Sequence, residues 1–228
     1  ASGKKVLSNA IIDILGNNSS LLINENEYLK WNKNFKKSDK KNLINIKSKN
    51  LLKLNTDIDL IINKNVPNRK TINSSIYKKN KSKYLNKDFI IATGYHLFLP
   101  KTLNKLFDIK VFLDPEKALN KNWLENKNDN VNNIVENYAL VEKYEDLYSQ
   151  QKNSSDLIFS FSYINKDILS YKTVHNLPLK MDVFLRDGIY AENLSKALIS
   201  ICGVKLNLDI SNTNFSSKIS IEGDIWPD

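Results

Sequence analysis

Cysteine occurs once in the 228 residues, at Cys202, so no disulfide can form within the chain and a reducing, cytoplasmic setting is expected. The thiol follows Leu198-Ile199-Ser200-Ile201, and apolar neighbours of this kind mark a buried, inert cysteine and not a nucleophile. Histidine occurs twice, at His96 and His175, and neither has a second histidine or a cysteine at ligand spacing, so no zinc site is expected. No apolar run approaches the ~20 residues that cross a bilayer, and no signal-type stretch opens the chain, so a membrane is not expected as a partner. The chain also opens without Met, which reads as a fragment or a trimmed product. Arginine is nearly absent: of 34 basic residues, all but Arg69 and Arg186 are lysine. The formal charge of +9 therefore does not point to nucleic acid, whose binders favour the bidentate arginine fork and gather charge among aromatics. Here the lysines are scattered, apart from runs such as Lys36-Lys37-Ser38-Asp39-Lys40-Lys41, which read as solvated loops.

The remainder is the composition of a globular chain, 41% hydrophobic and 26% charged, long enough to bury a core in one domain with a small appendage. Val6 to Leu15 has helical spacing and stops at Gly16-Asn17-Asn18. Ser20 to Ile23 has strand length, residues 30 to 50 are polar and mostly irregular, and Leu51 to Ile62 carries a helical pattern through Leu52, Ile58, Ile61 and Ile62. Ile76-Tyr77 is strand-like, Phe89 to Gly94 is a compact apolar strand, Lys101 to Phe107 a short helix, and Ile109 to Leu113 a second strand. Helices are expected at Ala118 to Lys127 and at Val131 to Leu147, with a strand at Asp156 to Phe161. Apolar strands alternating with helices predict an α/β fold whose sheet is mostly parallel and covered on both faces. From about Leu177 the rhythm changes. Strand, helix, strand, strand over Leu179–Leu185, Tyr190–Ile201, Val204–Leu208 and Lys218–Ile221 predict a small α+β unit at 176–228, after a main domain at 1–175. No internal repeat is evident.

The sharpest chemical signal is at the start. Ser2-Gly3-Lys4-Lys5-Val6 leads into the first helical pattern and matches the back half of the phosphate-binding motif G-x-x-x-x-G-K-[ST]. Glycine lets backbone N–H groups curl towards a phosphate, lysine adds a mobile cation, and the helix N-terminus favours an anion. The motif's first glycine and the strand before it are not in the sequence, and Lys5 stands where a Mg²⁺-binding Ser or Thr belongs.

Further motifs follow in order. Asn26-Glu27-Tyr28-Leu29-Lys30-Trp31-Asn32-Lys33 is similar to D-D-Y-H-K-W-x-R, and Leu43 to Leu52 to H-L-x-P-x-x-N-x-L. Ile90-Ile91-Ala92-Thr93-Gly94-Tyr95-His96 is similar to I-I-V-E-G-x-H, and Asp108-Ile109-Lys110-Val111-Phe112-Leu113-Asp114 to D-x-K-I-F-L-D. Trp123 to Asn128 and Tyr144 to Asp156 complete the series, against W-K-I-x-R-D and Y-x-x-F-I-x-P-Q-K-x-x-A-D. Over residues 1 to 162 this order resembles the uridine kinase and phosphoribulokinase family of P-loop small-molecule kinases. The resemblance implies a three-layer P-loop kinase-like domain that uses ATP and Mg²⁺ and moves the γ-phosphoryl group to a hydroxyl of a nucleoside, sugar or related metabolite.

It also implies roles. Ser2, Gly3, Lys4, Lys5 and Val6, with Lys127 closing over, would hold the nucleotide; Lys4 and Glu27 would be catalytic, Glu27 as the base; Asn26, Tyr28 and His96 would face the acceptor. The family's first acid is the amide Asn26 here, its strand-end glutamate is Thr93, its lid arginine is Lys127 and the following aspartate is Asn128. Such groups act as a unit, so the alternative is a descendant without catalysis that binds nucleotide or a protein partner. His175 and Cys202 are assigned no role, and Trp123 is expected in the core.

Overall fold

The computed structural model describes residues 3–30, 45–65, 87–125, 145–164, 179–186, 189–202, 206–209 and 217–223. By its internal contacts the chain falls into two units. One comprises Gly3–Asp108 and Asn130–Gln151, the other Ala1–Ser2, Ile109–Asp129 and Lys152–Asp228.

In the first unit, Gly3 takes the left-handed backbone conformation (φ 76°) and α1 runs over Lys4–Leu15 behind it. Gly16, also at positive φ, ends the helix by returning its N–H to the Ile12 carbonyl at 2.8 Å. Strand β1 (Ser20–Asn24) alternates, with Leu21 and Ile23 buried and Leu22 outward, and passes into a 3₁₀ turn at Glu25–Glu27. A second 3₁₀ turn, Ile46–Ser48, leads to α2 (Leu51–Ile62). The helix spans the residues read from sequence, but its inward face is Leu54, Ile58 and Ile61, and Leu52 is 78% exposed. Strand β2 (Phe89–Thr93) lies parallel to β1, pairing Ser20 with Phe89 and Asn24 with Thr93. The short α3 (Lys101–Asn104) follows, and Leu103 joins Leu21, Ile23, Tyr28, Leu54, Ile58, Ile61 and Leu97 in one core.

The Asn50 side chain caps α2 by accepting from the Lys53 N–H at 3.1 Å. Asn50→Ala is expected to cost about 1 kcal/mol, read as a lowered urea midpoint with an unchanged slope.

In the second unit, β3 (Val111–Pro115) precedes α4 (Lys117–Glu125). The chain re-enters this unit at the end of α5 (Glu145–Asn153) and continues through β4 (Leu157–Tyr163), β5 (Leu179–Leu185), α6 (Ala191–Cys202), β6 (Leu206–Asp209) and β7 (Ser217–Gly223). The sheet order is β3-β4-β5-β7-β6: β3 and β4 are parallel, and the three later pairings antiparallel. The strands after residue 176 thus extend the sheet that β3 and β4 begin, and the strand, helix, strand, strand order is as read from sequence. Strand β3 starts two residues later than the sequence pattern indicates, because the Asp156 carboxylate takes the Lys110 N–H at 2.8 Å and leaves Ile109 69% exposed. Trp123 packs edge-on against Phe161 beside Leu119, in the core position expected of it. Ile76-Tyr77 and most of the helix expected at 131–147 lie outside the described residues.

Among the described residues no helix is long and apolar enough to cross a membrane.

Candidate functional site

Ligands of open α/β sheets gather at the carboxyl ends of parallel strands, and β1 and β2 end together at Asn24 and Thr93. Just beyond them, the Asn24 side chain accepts from the Asn26 N–H at 2.8 Å, and the tight turn this makes points Glu25 inward. Glu25 is fully buried and fully engaged. Its Oε2 accepts from the backbone N–H groups of Tyr95 (2.5 Å) and His96 (2.9 Å), while Oε1 lies 2.7 Å from His96 Nδ1 and 3.8 Å from Lys49 Nζ. Gly94 is what lets the two strand ends approach: a Cβ there would overlap the Glu25 carboxylate and stand 2.7 Å from its Cβ.

Lys49, also buried, is delivered by a short pairing of the 45–50 segment with the residues after the turn. Leu29 and Lys49 form an antiparallel bridge, flanked by Lys30 N–H to Ser48 (2.7 Å) and Asn50 N–H to Tyr28 (2.7 Å). The Lys49 ammonium donates to Asn26 Oδ1 at 2.6 Å. An ammonium has only donors, so the Asn26 atom facing it must be the carbonyl oxygen, and the NH₂ is turned to the other side. Asn26 is therefore oriented as a donor and has no basic oxygen to offer a substrate proton.

Burial pushes the Glu25 carboxyl up, but His96 and Lys49 beside it more than reverse this and hold it below its ordinary value. Burial pulls the Lys49 ammonium down, and Glu25 offsets part of that. A second buried acid lies close by. Asp57 on α2 is raised by burial, with Lys53 one turn away and the Tyr28 side chain holding it partly down. Tyr28 accordingly sits in the core at 3% exposure, and His96 is 1% exposed. Of the three residues expected to face an acceptor, only Asn26 is half-buried, and the adjoining Glu27 is exposed.

At the other side of the strand ends, Gly3 and α1 give the local form of a phosphate-loop terminus: a left-handed glycine, then first-turn N–H groups with no side-chain cap. Lys4 Nζ rests over the Tyr95 ring, 3.8 Å from its centroid. Lys5 and Val6 are exposed, and Ser2 and Lys127 lie outside the described residues. These residues suit an anion better than a protein-held Mg²⁺. Lys5 is a cation at the ligand position, while the nearest hydroxyl on the helix, Ser8, is 3% exposed and donates to the Lys5 carbonyl at 3.1 Å. No group of three or more His, Cys, Asp or Glu gathers as a metal site among the described residues.

No protein-family model matches the chain, and no curated protein matches it in sequence. A solved structure does match in shape: phosphoribulokinase from Rhodobacter spheroides, at a TM-score of 0.57, 11% identity, and coverage of 95% of this chain and 85% of that one. The fold is α/β, of the P-loop kinase kind. At 11% identity the likeness reaches the fold and stops there.

Sequence reasoning passed over Glu25, Lys49 and Gln151. Gln151 is buried and clamps the 94–98 loop, its Nε2 donating to the Tyr95 carbonyl (2.8 Å) and its Oε1 accepting from the Phe98 N–H (3.2 Å). The one usable signal was the position of Glu25 just past Asn24, at the carboxyl end of the apolar run Leu21-Leu22-Ile23, where ligands of such sheets gather. The Glu25 carboxylate at the end of β1 is spent on His96, Lys49 and the loop.

Proposed function

We propose that the chain is an ATP-dependent small-molecule kinase that transfers the γ-phosphoryl group to a hydroxyl of a nucleoside, sugar or related metabolite. The observation that carries this is the left-handed Gly3 followed by Lys4 at the uncapped start of α1, within a P-loop kinase-like fold. In this reading Lys4 and the first-turn N–H groups take the nucleotide phosphates, and any Mg²⁺ comes with the nucleotide. Glu27, exposed beside the site, accepts the acceptor's proton, and Asn26 donates a hydrogen bond to the substrate. His96 acts from behind, fixed by Glu25.

A second reading, nucleotide binding without catalysis, is favoured by one contact: the lock of Asn26 to Lys49 leaves an amide where the family resemblance puts its base. Both readings require ATP to bind, and only the first requires turnover. Calorimetric titration of ATP with Mg²⁺ present is expected to give saturable binding, weakened at least tenfold in Lys4→Ala; that loss corresponds to about 1.4 kcal/mol, within reach of one charge-assisted contact. No binding at millimolar ATP would remove both readings. Binding with no phosphoryl transfer to a panel of nucleosides and pentoses would leave the second.

A further inference from the structure

Tyr95 is held at both ends of its peptide and carries the phosphate-loop lysine on its ring. Its N–H donates to Glu25 Oε2 at 2.5 Å, and its carbonyl accepts from Gln151 Nε2 at 2.8 Å. Both anchors are buried, Glu25 at 0% and Gln151 at 3% exposure, so the backbone that bears the ring is fixed by groups that have nowhere to relax. The Lys4 ammonium lies 3.8 Å from the ring centroid, inside the range in which a cation is attracted to the negative face of an aromatic ring.

A lysine side chain has four rotatable bonds and loses substantial freedom when it is ordered on a phosphate. Resting the ammonium on a fixed ring removes part of that loss before the ligand arrives.

We propose that Tyr95 is a positioning residue for nucleotide binding: an aromatic platform, fixed by Glu25 and Gln151, that presets Lys4 for the phosphates. The proposal rests on the reading that this site takes nucleotide. It assigns no chemistry to the tyrosine hydroxyl, since the ring face alone does the work. It also gives the buried Glu25 a route to the ligand through one peptide and one ring.

The test is a calorimetric cycle on the full chain, with ATP as the probe, over wild type, Tyr95→Leu, Tyr95→Phe, Lys4→Ala and the Lys4→Ala/Tyr95→Leu double variant. Thermal unfolding of each variant is followed in parallel. Tyr95→Leu is expected to weaken ATP binding roughly three- to tenfold, the range set by a cation–π contact at a partly exposed site. Tyr95→Phe keeps the ring and is expected to bind like wild type. In the Lys4→Ala background, Tyr95→Leu is expected to change nothing further, because the platform then has no passenger. Four outcomes would overturn the proposal while leaving nucleotide binding standing: unchanged binding in Tyr95→Leu, tighter binding in it, a loss in Tyr95→Phe as large as in Tyr95→Leu, or an undiminished Tyr95→Leu effect without Lys4. Absence of ATP binding in wild type would instead remove the reading beneath it, and the proposal with it.

Discussion

Glu25→Gln should destabilise the first unit by about 3–5 kcal/mol, the cost typical of removing one partner from a buried ion pair. The substitution keeps the shape and takes away the charge. Lys49 would then remain at 2% exposure with, among the described residues, the Asn26 carbonyl as its close acceptor, and His96 Nδ1 would lose its carboxylate. One of the two Gln side-chain termini is also an NH₂, which cannot accept the Tyr95 and His96 N–H groups and the imidazole together. The effect should depend on pH with a definite sign. Because the folded Glu25 is held below its usual 4.5, its stabilising share is present above that value and is lost as pH falls through the folded value. The gap between wild type and Glu25→Gln should therefore be widest near neutrality and close on the acid side. Asp57 acts in the opposite sense: its raised value means the fold takes up a proton there, and that share fades as pH rises from 3.8 through the folded value. It is present in both proteins and drops out of their difference. Urea unfolding of the pair at several pH values measures the gap, and a gap that widens in acid would mean the Glu25 charge does not stabilise the fold.

The second large effect is Gly94→Ala, expected to cost about 3 kcal/mol or more. Gly94 is not at positive φ, so the backbone conformation is no obstacle. The obstacle is space. The added methyl would enter the volume of the Glu25 carboxylate, a group held by two backbone N–H groups, an imidazole and a buried ammonium, and unable to swing aside as a surface side chain would. Either the carboxylate leaves its donors or β1 and β2 part at their ends. The first outcome would show as a stability loss close to that of Glu25→Gln, and the second as a larger one with faster amide exchange at Asn24 and Thr93. A midpoint like that of wild type would mean the 94–96 loop yields at little cost, and the tight approach seen here would lose its importance.

Much of the frame was legible in the chain because it depends on local pattern. Phe89–Thr93 is a compact apolar run closed by Gly94, and Leu51–Ile62 is bounded by a capping Asn50, so both elements fall where the residues place them. The inward face of α2 was less legible: Leu52 looks apolar in sequence, yet it lies off the line joining Leu54, Ile58 and Ile61. The site was legible in part. Gly3 and Lys4 stand at the start of α1, and Asn26 and His96 belong to one chain of contacts that runs through Lys49 and Glu25. The linking residues were hidden by their neighbours. Lys49 sits among Lys47, Ser48 and Asn50, where a lysine reads as solvated, and Glu25 stands two residues before Glu27, which has the same chemistry and is exposed. Burial of a charge is decided by chain segments far apart in sequence, and no window of ten residues contains that information.

The junction of Glu25 with the end of β2 also fixes how two distant strands must meet. Parallel partners such as β1 and β2 have no hairpin to align them, so their register rests on the side chains they bury. Sliding by one residue would turn Leu21 and Ile23 outward and carry the Glu25 carboxylate away from the Tyr95 and His96 N–H groups that receive it. Three buried charged or ionisable groups, each from a different part of the chain, are satisfied in one alignment and stranded in the adjacent ones. The network thus serves assembly as a keyed joint: near-miss pairings of the two strands are penalised by an unpaired buried charge, long before any ligand is present to select the right one.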